Sequence, residues 1–213
     1  VNTGKNPVIV PNLLSSVLTA DQENILFMLE GTINECNSLF YRLEKELYID
    51  HKEMVWHERC MDESTNGIFI PGVTGIAAPY WKSGLGTVKI DLENAKNDEI
   101  IRAAMESIGF LVHDIIKQMD LKDALPDMLT ASGGGARAPL LQFIADMLLI
   151  TVGHISLKDR TAIGVLQLLY KKNTGHYLSV GAECDEIFVP RMKKVTRAKK
   201  LKHWQHALAQ VGL

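Results

Sequence analysis

The spacing of apolar positions changes its period twice along this chain. Over the first thirty residues, short apolar runs at Val8-Ile9-Val10, Leu13 to Leu18 and Ile25 to Leu29 are separated by Asn6-Pro7, Pro11-Asn12 and Asp21-Gln22. Short strands broken by turn residues at this spacing predict an antiparallel meander. From Thr32 the interval becomes three to four residues. Ile33, Cys36, Phe40, Leu43 and Leu47 then fall on one face of an amphipathic helix that Gly31 or Thr32 would open. Asp50 to Asn66 is polar and aperiodic, which predicts surface. Ile68-Phe69-Ile70 reads as a short strand entering a Gly- and Pro-dense loop that ends at Tyr80-Trp81, and Gly84 to Ile90 adds a turn and a strand.

The second change begins near residue 97. Ile101, Ala104, Ile108, Leu111, Ile115 and Met119 form the strongest helical stripe of the chain, with Asn97 or Asp98 as N-cap. Asp98 and Glu99 sit at its positive end and Lys117 near its negative end, as the helix dipole prefers. After it the pattern alternates: strand (127–131), glycines, helix (139–148), strand (151–156), helix (161–171). Alternation of this kind predicts parallel strands in an α/β layer. With the antiparallel strands at the start, the fold class is α/β, a mixed sheet with helices on both faces. There is no internal repeat or low-complexity linker, so a single domain over residues 1–213 is expected.

Composition adds little to this picture. The 213 residues are 46% hydrophobic and 23% charged, with a net charge of −2, which points to neither nucleic acid nor membrane as a partner. Met147 to Ile150 is among the longest apolar runs and is far short of the ~20 residues of a membrane-spanning helix. Cys36, Cys60 and Cys184 form no CxxC and read as buried thiols in a reducing compartment. The seven His residues show no metal-ligand spacing; His203 and His206 share a helix face without further ligands. Seven of the 23 basic residues and none of the 25 acidic ones lie after residue 190. This run reads as a solvated helix face that packs back through Val195, Leu201, Trp204 and Leu208.

The glycines carry the candidate chemistry. In Thr130-Ala131-Ser132-Gly133-Gly134-Gly135-Ala136-Arg137-Ala138-Pro139, a strand runs through three glycines into a helix. Glycine lets a ligand approach the backbone, and the helix start offers unpaired N–H groups and partial positive charge. Turns at the carboxyl ends of strands in open α/β sheets are where ligands bind. The spacing matches neither GxGxxG nor GxxxxGK[ST], so the residues alone fit a plain tight turn as well as a nucleotide cradle.

Several blocks, taken in order, resemble the C-terminal half of glycerol kinases, members of the FGGY carbohydrate kinases. They are Val1 to Gly4, Met28-Leu29-Glu30-Gly31, Phe69-Ile70-Pro71-Gly72-Val73-Thr74-Gly75-Ile76-Ala77-Ala78-Pro79-Tyr80-Trp81, Ile101 to Ile108, Gly133-Gly134 and Thr161 to Gly164. The likeness covers essentially the whole chain. It implies an actin-like ATPase (ribonuclease H-like) domain, with ATP or ADP and Mg2+ held on this side. The catalytic base, the substrate-binding residues and the first strand would lie in a preceding segment, and this chain alone would be inactive. In the family the second glycine of an Asp-Gly-Gly run lies against the nucleotide; here that is Gly134, between Gly133 and Gly135, with Ser132 in place of the aspartate. An adenine-contacting asparagine maps to Ala138, in a segment one residue shorter up to Gln142. A small residue and a glutamine that face the nucleotide map to Asn37 and Tyr41. No catalytic or metal-binding residue is assigned. The implied activity is phosphorylation of glycerol, or of another polyol or sugar, by a cytoplasmic enzyme; the substitutions at Asn37, Tyr41, Ser132 and Ala138 also fit a non-catalytic remnant. An uncovered sheet edge at Val1-Asn2 would favour homo-oligomers.

Overall fold

The structure is a computed structural model that describes residues 1–20, 24–120, 126–157, 159–176, 178 and 183–213. At the start, β1 (Asn2–Gly4), β2 (Leu14–Ala20) and β3 (Ile25–Glu30) form an antiparallel sheet in the order β1-β3-β2. Val8 and Ile9 are exposed and belong to no strand, so the first predicted strand lies instead at Asn2–Gly4. Next come α1 (Asn37–Glu46) and a short helix α2 (Trp56–Arg59). The strands β4 (Ile68–Gly72) and β5 (Gly86–Ile90) make an antiparallel pair.

Of the stripe predicted for α1, Phe40 and Leu43 are buried on the helix, where Leu39 joins them. Ile33 and Cys36 lie outside it because the helix opens five residues late, and Leu47 is its C-cap. The carbonyl of Thr32 accepts a hydrogen bond from the Ala78 amide (3.1 Å), and Asn34 Nδ2 donates to the carbonyls of Thr74 and Gly75 (3.1 and 3.0 Å). The entry segment therefore bonds to the loop after β4 rather than to its own next turn. A Cβ on Gly31 would sit 2.4 Å from Ile115 Cγ2, so glycine is what lets β3 exit against the central helix.

That central helix is α3 (Asn97–Gln118), buried from Ile100 to Ile115 on nearly every side. Its N-cap is Lys96, one residue earlier than expected, because the Glu99 carboxylate reaches back to accept from the Lys96 amide (2.9 Å). Gly109 lets α4 (Ala138–Leu148) approach closely, since a Cβ there would stand 2.4 Å from Phe143. Phe110 packs edge-on to Phe143 and stacks on Trp204 of the last helix, α6 (Lys194–Gln210). In α6, Trp204, Ala207 and Leu208 are buried, whereas Val195 is 82% exposed and is not the anchor the sequence predicted.

The mixed sheet joins β6 (Met128–Ala131), β7 (Thr151–His154) and β8 (Glu186–Phe188), the first pair parallel and the second antiparallel. Helix α4 is the crossover between β6 and β7. One side of α4, with Leu141 and Ala145, packs on Leu129, Ala131, Val152 and Phe188, and the other side joins the α3 core through Leu140, Phe143 and Met147. This places the glycine stretch at the carboxyl end of β6, rigidly backed by α4. Helix α5 (Arg160–Thr174) has no buried residue and leaves Val165, Leu166 and Leu169 about half exposed.

Candidate functional site

A cavity of about 280 Å³ opens where three segments meet. One wall is a face of α1, where Asn37, Phe40, Tyr41 and Glu44 recur at helical spacing. The second is Met54 to His57, at and before the start of α2, together with His51. The third is the glycine turn, through Gly134 and Arg137. Met54 and Trp56 are buried, so the stretch predicted to lie on the surface is in part a structural wall. The indole of Trp56 stacks on Phe40, with centroids 4.2 Å apart and planes 4° from parallel. Polar neighbours hide this anchoring from a periodicity reading.

The turn itself divides its three glycines by task. Gly133 has φ +95° and its carbonyl accepts from the Ala136 amide (3.1 Å), which turns the chain out of β6. A Cβ on Gly135 would lie 2.8 Å from Cys36 Sγ, so this residue closes the turn against the start of α1. Gly134 has open space beside it and faces the cavity. Of the residues singled out from sequence, Asn37, Tyr41 and Gly134 are brought together. Gly133, Gly135 and Ala138 do not line the cavity: the first two shape the turn, and Ala138 opens α4, where a methyl group offers no hydrogen bond.

Hydrogen bonds orient the lining. Trp56 Nε1 donates to Asn37 Oδ1 (3.3 Å), and because an indole N–H can only donate, the Asn37 oxygen is fixed and its two amide hydrogens remain for other acceptors. His51 Nδ1 lies 2.9 Å from Glu44 Oε2, and this bond raises the His51 imidazole above its ordinary value. Tyr41 stacks loosely on His51, at 6.0 Å. Burial, reinforced by the Arg137 charge, lowers His57 below its ordinary value. An aromatic-walled pocket with amide donors, a carboxylate and an open glycine backbone suits a flat heteroaromatic ring carrying a polar tail. Sequence reading missed Phe40, Glu44, His51, Met54, Val55, Trp56, His57 and Arg137. Glu44 was within reach, since Asn37, Tyr41 and Glu44 stand at i, i+4 and i+7, and Arg137 lies inside the glycine stretch itself.

The pattern of the FGGY family of carbohydrate kinases, C-terminal domain, matches residues 1–169. Glycerol kinase of Borreliella afzelii (strain PKo) is 30% identical over 222 residues, spanning 98% of this chain and 44% of that protein. Glycerol kinase of Clostridium botulinum (strain 657 / Type Ba4) is 29% identical over 221 residues, spanning 99% and 44%. Among solved structures, Plasmodium falciparum glycerol kinase with ADP superposes with a TM-score of 0.85 at 24% identity, covering 100% of this chain and 45% of that one. Gluconate kinase from Lactobacillus acidophilus gives 0.81 at 19% identity, covering 99% and 45%. The chain thus spans somewhat under half the length of the relatives it matches. These likenesses give it the actin-like ATPase fold expected from the sequence. The chain belongs to the FGGY family of carbohydrate kinases.

Proposed function

We propose that this chain is the nucleotide-binding part of an ATP-dependent carbohydrate kinase, with glycerol or a related polyol as the phosphate acceptor. One observation carries the reading: Asn37, Tyr41 and Gly134, expected to face a nucleotide, come from two segments about a hundred residues apart and line one cavity. The base enters between Tyr41 and the Phe40–Trp56 stack, and the Asn37 amide hydrogens donate to ring acceptors. The sugar and phosphates pass over the Gly134 backbone towards the first turn of α4, whose N–H groups are unpaired within the helix. The chemistry of the family is transfer of the γ-phosphoryl group to a hydroxyl, in which positioning and charge stabilisation supply most of the catalysis. Magnesium would enter the site bound to the nucleotide phosphates.

Glycerol is favoured over gluconate or xylulose because the curated relatives at about 30% identity are glycerol kinases. A second reading, a nucleotide-binding remnant without catalysis, is favoured by Ala138, which leaves the cavity without the asparagine that the resemblance would place there. Proton NMR of the imidazole rings tests the shared part of both readings. Added Mg-ADP should shift the His51 and His57 resonances saturably and leave His206, at the far end of α6, unmoved. Unmoved His51 and His57 signals at millimolar Mg-ADP would refute nucleotide binding here. In a full-length protein that carries the substrate-binding half as well, ADP release on adding glycerol, gluconate or xylulose ranks the acceptors, and no release with any of them favours the remnant.

A further inference from the structure

Arg137 is the N-cap of α4, and its backbone is pinned at both ends. Its amide donates to the Gly135 carbonyl (2.9 Å) and its carbonyl accepts from the Leu141 amide (3.0 Å). The side chain therefore leaves the glycine turn from a fixed point and forms part of the cavity wall. Four titratable or charged groups besides Tyr41 line this cavity: Glu44, His51, His57 and Arg137. Glu44 and His51 are committed to each other at 2.9 Å, so the Glu44 carboxylate is engaged away from Arg137. His57 is held below its ordinary value. Among the described residues the guanidinium of Arg137, an exposed residue at the cavity rim, has neither a hydrogen bond nor an ion pair, so its donors are left for a ligand. Arg137 stands three residues from Gly134, beside the open backbone and at the positive end of α4.

A guanidinium in this position has two possible uses in a nucleotide site: it can form charge-assisted hydrogen bonds to phosphate oxygens, or it can lie flat on a base. The placement favours the first. The aromatic wall for a base is already made by Phe40, Trp56 and Tyr41, whereas Arg137 adjoins the glycine backbone and the helix start that a phosphate would approach. We propose that Arg137 is a phosphate-binding residue that makes the cavity select nucleoside di- and triphosphates over the bare nucleoside. This rests on the nucleotide reading of the cavity and adds a side-chain contact to the backbone contact at Gly134. Specificity then divides along the site, with the base held through Asn37 and the aromatic wall and the charge read by Arg137.

Calorimetric titrations of the chain and of Arg137→Gln with Mg-ADP and with adenosine, at low and at physiological salt, separate the contributions. A charge-assisted contact predicts that Arg137→Gln weakens Mg-ADP by about ten- to a hundredfold. The salt dependence of Mg-ADP binding should fall, and adenosine affinity should stay within about twofold. Arg137→Lys keeps the charge and should retain most of the Mg-ADP affinity. In Arg137→Gln the His57 imidazole should titrate higher than in the unaltered chain, which confirms that the variant is folded and that the guanidinium had been acting there. Unchanged Mg-ADP affinity in a folded Arg137→Gln overturns the proposal and leaves the nucleotide reading standing. Equal losses for Mg-ADP and adenosine also overturn it and place the guanidinium on the base. An unaltered chain that binds neither ligand removes the nucleotide reading, and this inference with it.

Discussion

Trp56 offers a sharp test of how the cavity wall is built. It is 6% exposed, stacked on Phe40, and donates to Asn37, although the sequence around it is polar. Buried aromatic side chains remove about 150–250 Å² from water. At about 25 cal/mol per Å², that corresponds to about 4–6 kcal/mol as an upper figure. Measured truncations of large aromatic core residues to Ala cost about 3–5 kcal/mol. Trp56→Ala should therefore destabilise by about 3–5 kcal/mol, a large part of the 5–15 kcal/mol that holds a typical domain together. Trp56→Phe keeps a ring on Phe40 and loses the N–H bond and part of the ring, so about 1–2 kcal/mol is expected. Urea unfolding followed by circular dichroism measures both without relying on the deleted fluorophore. A cost below about 1 kcal/mol for Trp56→Ala would show that residues 54–57 are not packed as a wall, and the site geometry would fall with them.

Three other predictions follow from the same packing. Asp114 accepts from Tyr80 Oη (2.8 Å) and Trp204 Nε1 (2.7 Å) and pairs with His113, so Asp114→Ala leaves two donors unsatisfied and should cost about 3 kcal/mol or more in urea unfolding. A loss under 1 kcal/mol would mean that this carboxylate does not tie α3 to α6 and the Tyr80 loop. The pairing with Glu44 raises the folded pKa of His51, so its contribution is full below the unfolded value near 6.5 and disappears as pH rises through the folded one. Glu44→Gln should return His51 to its ordinary range in an NMR titration, and an unchanged titration would refute the pairing. Helix α5 has no buried residue, and a 15-residue helix alone is marginal, so its amides should exchange far faster than those of α3. Equal protection of the two helices would mean that α5 is packed on a surface.

What the sequence could show depended on how each residue is held. The α3 stripe and the β6–glycine–α4 unit were legible because their periodicity and their burial share one cause, a helix or strand facing the core. Residues 50–66 were not, because Trp56 and Met54 are anchored by long-range stacking and packing that leave no period in their own segment. The late start of α1 was hidden for a related reason, since Thr32 and Asn34 bond to the loop at 74–78, distant in sequence. At the candidate site, the resemblance pointed to Asn37, Tyr41 and Gly134, which line one cavity. The lining by His51 and His57 emerged only when α1, the segment before α2 and the glycine turn were placed side by side.

The central claim is that Gly134 leaves its backbone bare so that a nucleotide can lie against it. A Cβ there would meet no protein atom within 4 Å, so a valine should fit the folded chain and occupy ligand space instead. Calorimetric titration with Mg-ADP of the unaltered chain and of Gly134→Val tests this directly. The account predicts saturable one-site binding that the valine weakens at least tenfold while the melting temperature of the free chain stays unchanged. Equal binding by a folded Gly134→Val, or no Mg-ADP binding by the folded unaltered chain, would contradict it.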